Sequence, residues 1–198
     1  MIPMPDPARP AAAAPSGDRR RCVLAALALA FFCVHAGRHA LAGHAHEALW
    51  SCTLSNALIG LGLLRAWSLP AAIGVCWLCM GNLTWLADLA LGGELLATSL
   101  LTHIGGLTVG VLGLRGLGWP RHAWLWSAAA MLALQELSRL VTPPAANVNL
   151  AFSVYTGWER VYPSYRVFWL ILFTEAVLVY VLADQLFRRL LGRSKRSA

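Results

Sequence analysis

Charged side chains are scarce in this chain: Asp, Glu, Lys and Arg make up 13% of its 198 residues, about half the fraction of a soluble domain. Hydrophobic residues make up 58%, gathered in runs of about 20 that short charged or Pro/Gly stretches separate, which excludes an ordinary water-soluble globule. Acidic residues are the scarcest group, 9 against 16 Lys and Arg, leaving a net charge of +7. The basic excess collects at the ends of the apolar runs, so it signals membrane topology rather than a nucleic-acid partner. No internal repeat and no second domain is visible. The first 18 residues, "MIPMPDPARPAAAAPSGD", lack large apolar side chains and read as a disordered Pro/Ala-rich tail. Cysteines number 5 and all fall inside apolar runs, so they say little about redox compartment. The pair in "CWLC", Cys76 and Cys79, has redox or metal spacing, but its place in the third run marks two small core residues.

The apolar runs lie at about 22–41, 46–66, 68–91, 95–114, 122–141 and 167–187. They predict an all-α, polytopic bundle of about six transmembrane helices, with the membrane domain over 19–190 and a basic tail over 191–198. With the N-terminus inside, Arg9, Arg19, Arg20, Arg21, Arg65, Arg115, Arg121, Arg188, Arg189, Arg193, Lys195 and Arg196 are cytoplasmic. Only Arg38, Arg139, Arg160 and Arg166 then lie outside. Both termini are therefore placed in the cytoplasm, in a bacterial-type inner membrane. "RRRCVLAALALAFFCVHAG" has no small-residue cleavage site directly behind its apolar stretch and reads as an anchor, not a cleaved signal. Membrane lipids are the expected partners, with the basic tail against anionic head groups.

Ionisable groups inside a bilayer are costly, and each is a functional candidate. Running odd spans outward and even spans inward puts His35, Cys52, Asn56, Asp88, Ser99, His103, Glu136 and Arg139 in the outer half. The inner halves of the first five spans are nearly featureless, which predicts a polar cavity opening outward. Cys52 lies roughly 9 Å and His103 roughly 12 Å below the outer span ends, at ~1.5 Å per residue. "WSCTLSN" sets Ser51, Cys52, Ser55 and Asn56 on one arc of the second span. "SLLTHIGGLTVG" sets Ser99, His103, Gly106 and Gly110 on one face of the fourth, where the two glycines predict close approach of another backbone. Glu136 and Arg139, three apart, suit an ion pair or an anionic head-group site. Glu175, near the middle of the sixth run, has no partner on its own helix.

"HAGRHALAGHAHE" places His35 and His39 four apart, a spacing that holds zinc on a helix, with His44, His46 and Glu47 following in a short loop. The longest connection, "VTPPAANVNLAFSVYTGWERVYPSYR", spaces Phe152, Tyr155, Trp158, Tyr162 and Tyr165 to predict a short interfacial helix. Its aromatic stripe is a membrane-surface belt or a lid admitting a lipid sideways, with Asn147 and Asn149 on the head group.

Cys52 and His103 sit at similar depth on different spans, and a thiol becomes nucleophilic when a base draws off its proton. In this scheme Asp88 or Glu136 orients His103, and Ser51, Ser55 and Asn56 supply oxyanion hydrogen bonds. Ser99, Glu136, Arg139, Asn147, Asn149 and Trp158 then complete the substrate site, and no cofactor is needed. The six-span layout, "WSCTLSN" and "LTHIGG" resemble the group of androgen-induced membrane hydrolases and YwaF-like acyltransferases, which use a membrane-embedded Thr or Cys and a His on a later span. That resemblance implies a lipid ester or acyl-lipid substrate. Ser99-x-x-x-His103, Asp88 and His35-x-x-x-His39 are also similar to elements of the zinc-dependent ceramidase and adipokine-receptor superfamily, in a different chain order. This second likeness implies zinc and a metal-activated water. A third expectation is non-enzymatic: a transporter, an assembly factor, or a haem carrier ligated by His35 and His103.

Overall fold

Each of the six apolar runs becomes a helix. These are α1 (Ser16–Leu41), α2 (Ser51–Leu64), α3 (Ser68–Ala90), α4 (Ala97–Leu117), α5 (Ala123–Val141) and α6 (Tyr165–Leu191). The computed structural model describes residues 16–192, and no strand occurs among them. α1 starts inside the stretch expected to be a disordered tail, and Asp18 in its first turn pairs with Arg21 at 2.9 Å. An acidic group there complements the helix dipole. The rest of that tail, and the basic tail beyond Gly192, lie outside the described residues.

Four helices are long and apolar enough to cross a membrane: Gly17–Leu41 within α1, α3, α4 and α6. The chain is thus compatible with a membrane protein. α2 has 14 residues, only ~21 Å at ~1.5 Å per residue, against a hydrocarbon core of about 30 Å. The expected single span over 46–66 is split, because Ala45–Leu49 forms a 3-10 turn and Trp50 (φ −55°, ψ 135°) breaks the helix. α5 has 19 residues and carries Gln135, Glu136, Ser138 and Arg139 in its second half, and it is not among the four.

α3 sits at the centre, packed against α2, α4, α5 and α6, while α1 lies on α2 and α4. Small residues make the α2–α3 contact possible. A Cβ on Gly62 would come within 2.8 Å of the Ala71 backbone nitrogen, and one on Gly74 within 2.6 Å of the Ser55 carbonyl. Small residues that admit such close approach are typical of contacts between membrane helices. Ile59, Leu63, Ala71, Ala72, Val75, Cys76 and Leu78 fill the core at 0% exposure. Cys76 thus takes the packing role, and both it and Cys79 are free thiols.

One end of the bundle holds the connections 42–50, 91–96 and 142–164 and is called here the loop end; the turns 65–67 and 118–122 lie at the far end. Residues 151–164 run through turns and form no helix, contrary to the aromatic spacing. The backbone explains this: Asn147, Asn149 and Leu150 have φ of 45°, 55° and 54°, Gly157 has φ 90°, and such left-handed residues end helices. The aromatic rings still meet, with centroids 6.0 Å apart for Tyr155–Trp158 and 6.1 Å for Trp158–Tyr162, and Tyr162 packs on Phe168 of α6 at 5.2 Å.

Candidate functional site

α4 is not a regular α-helix. Leu101–Gly105 forms a π turn, in which the Gly106 N–H reaches back to the Leu101 carbonyl. Such turns are rare and concentrate at functional positions. Two side-chain amides support it from neighbouring helices: Asn56 Nδ2 of α2 donates to the Thr102 carbonyl (3.2 Å), and Asn82 Nδ2 of α3 donates to the His103 carbonyl (3.4 Å). Gly106 leaves the room that the buried Asn56 amide fills. Gly110 similarly receives the Ile59 and Val75 side chains, so the α4 glycines admit side chains rather than the backbone that their spacing predicted.

His103 therefore lies inside the π turn, 5% exposed. Its ring stacks flat on Trp85 of α3, centroids 4.8 Å apart and planes 7° from parallel. Half-buried Cys52 approaches from α2. A methyl group built on Gly81 would stand 3.5 Å from Cys52 Cβ, 3.7 Å from His103 Cε1 and 3.9 Å from His103 Nδ1. Cys52 and His103 thus flank one glycine, and no hydrogen bond links them among the described residues. Around the π turn the protein leaves buried polar atoms without a protein partner: Asn56 Oδ1, Asn82 Oδ1, Thr102 Oγ1 and His103 Nδ1. Ser99, four residues before His103, is also buried. Ser55 is already satisfied by the Ser51 carbonyl at 2.7 Å.

The remaining sequence-derived candidates stand elsewhere. Asp88, at the loop end of α3, accepts from the Tyr155 hydroxyl at 2.7 Å and so tethers the long connection rather than orienting His103. Burial, and then the Asp88 carboxylate, push the Tyr155 phenol up to about 12. Glu136 and Arg139 form the ion pair; Arg139 Nε also donates to the Ala151 carbonyl (2.8 Å), and its guanidinium to the Tyr165 hydroxyl (3.2 Å). Asn147 Oδ1 accepts from the Phe152 and Ser153 N–H groups, each at 3.0 Å. Asn149 accepts from Ser51 N–H and donates to the Leu49 carbonyl and the Ser138 hydroxyl. Both asparagines hold the connection in place, with their amides engaged by the protein itself. Trp158 packs among Tyr155, Tyr162 and Phe168.

The histidine-rich stretch builds a hydrogen-bonded chain. His35 Nε2 and His39 Nε2 are 3.3 Å apart, His39 Nδ1 lies 2.6 Å from Glu47 Oε2, and His44 Nδ1 lies 3.3 Å from Glu47 Oε1. The second nitrogen of His35, Nδ1, is buried without a partner. Two imidazole nitrogens at that spacing can flank one ion; a catalytic zinc takes three protein ligands, and no group of three His, Cys, Asp or Glu side chains placed to hold a metal occurs among the described residues.

Sequence reasoning passed over Asn82, Trp85, Thr102 and Gly81, although an asparagine in an apolar run is itself a signal. It also passed over Asp184 at the far end. That carboxyl is 2% exposed, accepts from Trp119 Nε1 at 2.7 Å and pairs with Arg188. A cleft of about 290 Å³ opens beside it, lined by His122, Trp124, Val181, Gln185 and Arg189. No protein-family model matches the chain, and neither a curated protein nor a solved structure is significantly similar to it.

Proposed function

We propose that this chain is a multi-pass integral membrane enzyme that cleaves or transfers an acyl group of a lipid, with Cys52 as nucleophile and His103 as its base. The reading includes six spans, both termini in the cytoplasm and the loop end outward in a bacterial inner membrane, supported by the distribution of Lys and Arg. Short α2 fits such a bundle because its 3-10 turn and the loop-end connections take up the remaining depth. The observation that carries the chemistry is the approach of Cys52 and His103 to Gly81 amid buried polar atoms without protein partners.

In the proposed reaction the Cys52 proton passes to His103 Nδ1 and the sulfur attacks the ester carbonyl. In this reading the Thr102 hydroxyl, buried next to His103 without a protein partner, is the donor to the oxyanion. The carbon–oxygen bond of the ester breaks, and the departing alcohol takes the proton from His103. Water or a second hydroxyl then gives its proton to His103 and attacks the thioester, the carbon–sulfur bond breaks, and the Cys52 sulfur takes the proton back from His103; which acceptor attacks distinguishes a hydrolase from an acyltransferase. Trp85, stacked on the imidazole, holds its plane where an acidic partner does so in other dyads. This division of roles carries over the weak likeness to the androgen-induced hydrolase and YwaF-like group.

The test is labelling of membranes with a thiol-reactive acyl probe in wild type, Cys52→Ser and His103→Ala. Labelling confined to wild type is expected. Labelling of Cys52 that persists without His103 rejects the dyad, and stoichiometric zinc that disappears with His35→Ala replaces it by a metal mechanism.

A further inference from the structure

The members of the histidine chain at the loop end lose contact with solvent one after another. Side-chain exposure is 59% at His44, 27% at Glu47 and 17% at His39, and His35 is 7% exposed. The members between the ends use a different atom on each side. Glu47 meets His44 through Oε1 and His39 through Oε2, while His39 meets Glu47 through Nδ1 and His35 through Nε2. A carboxylate only accepts, so the proton between Glu47 and His39 sits on His39 Nδ1. The other nitrogen of a neutral imidazole then accepts, and His35 Nε2–H donates to His39 Nε2. His35 Nδ1 is left as an acceptor, buried and without a protein partner. The chain of bonds therefore runs from an exposed histidine to a buried base.

That base lies on the same side of the bundle as the polar centre. α1 packs on the π turn of α4, where a Cβ built on Gly105 would come within 2.9 Å of the Phe31 ring. From that contact, His35 is four residues toward the loop end along α1, and His103 two residues toward it along α4. Thr102 and His103 are 0% and 5% exposed, so a proton set free among them needs a route out. We propose that His35, His39 and Glu47 form a proton path between the polar centre and the loop-end surface, with His44 at its mouth. The proposal rests on the acyl reading above for the proton carried: with water as acceptor, the product acid ionises to a carboxylate and releases one proton. That proton binds His35 Nδ1, the His35 Nε2 proton passes to His39 Nε2, and the His39 Nδ1 proton passes to Glu47. Glu47 hands it to His44 or to water. One bond to hydrogen breaks for each that forms, and imidazoles are suited to such shuttling.

The full-length chain, carrying isotope-labelled histidine in lipid nanodiscs, is transferred to heavy water, and NMR follows loss of the His35 ring N–H. In wild type this proton is expected to exchange fast despite its burial. Glu47→Gln keeps the shape and an acceptor for His39, but its amide cannot take up and release a proton. It is expected to keep its thermal midpoint and to slow the exchange by about a hundredfold, the low end for a positioned acid–base group. His39→Gln interrupts the path at the next member and is expected to slow it likewise. In Glu47→Gln, acyl labelling of Cys52, which releases no net proton, is expected to persist while ester hydrolysis slows. Wild-type exchange as slow as that of the buried α1 amides, exchange unchanged in either folded variant, or hydrolysis untouched by Glu47→Gln would overturn the proposal. Absence of Cys52 labelling in wild type rejects the acyl reading instead, and the exchange rates still decide the path.

Discussion

Asn149 caps a helix that begins 98 residues before it: its side-chain oxygen accepts the Ser51 N–H, the first of α2, at 2.8 Å. Its amide nitrogen donates at the same time to the Leu49 carbonyl (2.8 Å) and to the Ser138 hydroxyl (2.9 Å). One side chain thereby joins the start of the helix bearing Cys52, the 3-10 turn before it and α5. Asn149→Ala strands those groups and is expected to lower stability by about 2–3 kcal/mol, read as a fall in the thermal midpoint in detergent. Asn149→Asp keeps the acceptor for Ser51 and is expected to lose less. An unchanged midpoint in Asn149→Ala refutes the capping role.

Gly81 and Gly106 separate activity from folding. A Cβ at Gly81 meets Cys52 and His103 at 3.5 and 3.7 Å, ordinary contact distances, so Gly81→Ala is expected to fold. It gains about 1 kcal/mol of helix propensity and loses most of the Cys52 labelling by occupying the gap. Gly106→Ala instead runs into the Asn56 amide, and is expected to cost about 1–3 kcal/mol by overpacking. Thermal midpoints and probe labelling, measured side by side, distinguish the two.

The Tyr155–Asp88 tether is expected to open in alkali. The folded phenol is raised from 10 to about 12, so the stability it contributes is full below 10 and is lost as pH rises through about 12. The difference in phenolate absorbance between wild type and Tyr155→Phe should show one tyrosine titrating late. A tyrosine titrating near 10 in that difference removes the tether.

At the far end, Asp184 receives the Trp119 indole and pairs with Arg188. Asp184→Leu leaves the indole N–H without an acceptor and is expected to cost about 1–3 kcal/mol. In combination with Trp119→Phe the loss should be less than additive, since the two side chains share one bond. Unfolding followed by tryptophan fluorescence measures the cycle, and strict additivity rules the coupling out.

Helix existence was legible in the sequence because apolar runs announce themselves by length. The expected bounds of the third and fifth runs, 68–91 and 122–141, fall within a residue of α3 and α5. The approach of Cys52 and His103 to Gly81 was legible only as equal depth on two helices. The partnership of Asp88 was not, because residue depth says nothing about which loop folds back, and Tyr155 lies 67 positions away. The aromatic spacing of residues 152–165 suggested a helix, but left-handed asparagines upstream and Gly157 within it set the backbone instead. The small-residue contact was read on the fourth span, whereas Gly62 and Gly74 carry the close backbone approach between α2 and α3. Periodicity marks where small residues lie, not what will fill the space they leave.

The π turn has a consequence for inheritance. A π turn is an α-helix with one residue inserted, and that insertion lets two successive residues, Thr102 and His103, both face the interior at 0% and 5% exposure. Removing any one residue from 101–105 would restore an ordinary helix and rotate the segment before it by ~100° relative to the segment after it. Ser99 would swing away from the interior face, and one of the two buried polar groups would turn outward. The composition of the polar centre therefore depends on how many residues the chain has at this point as much as on which residues they are. A length change in that segment should alter the centre more than most substitutions within it.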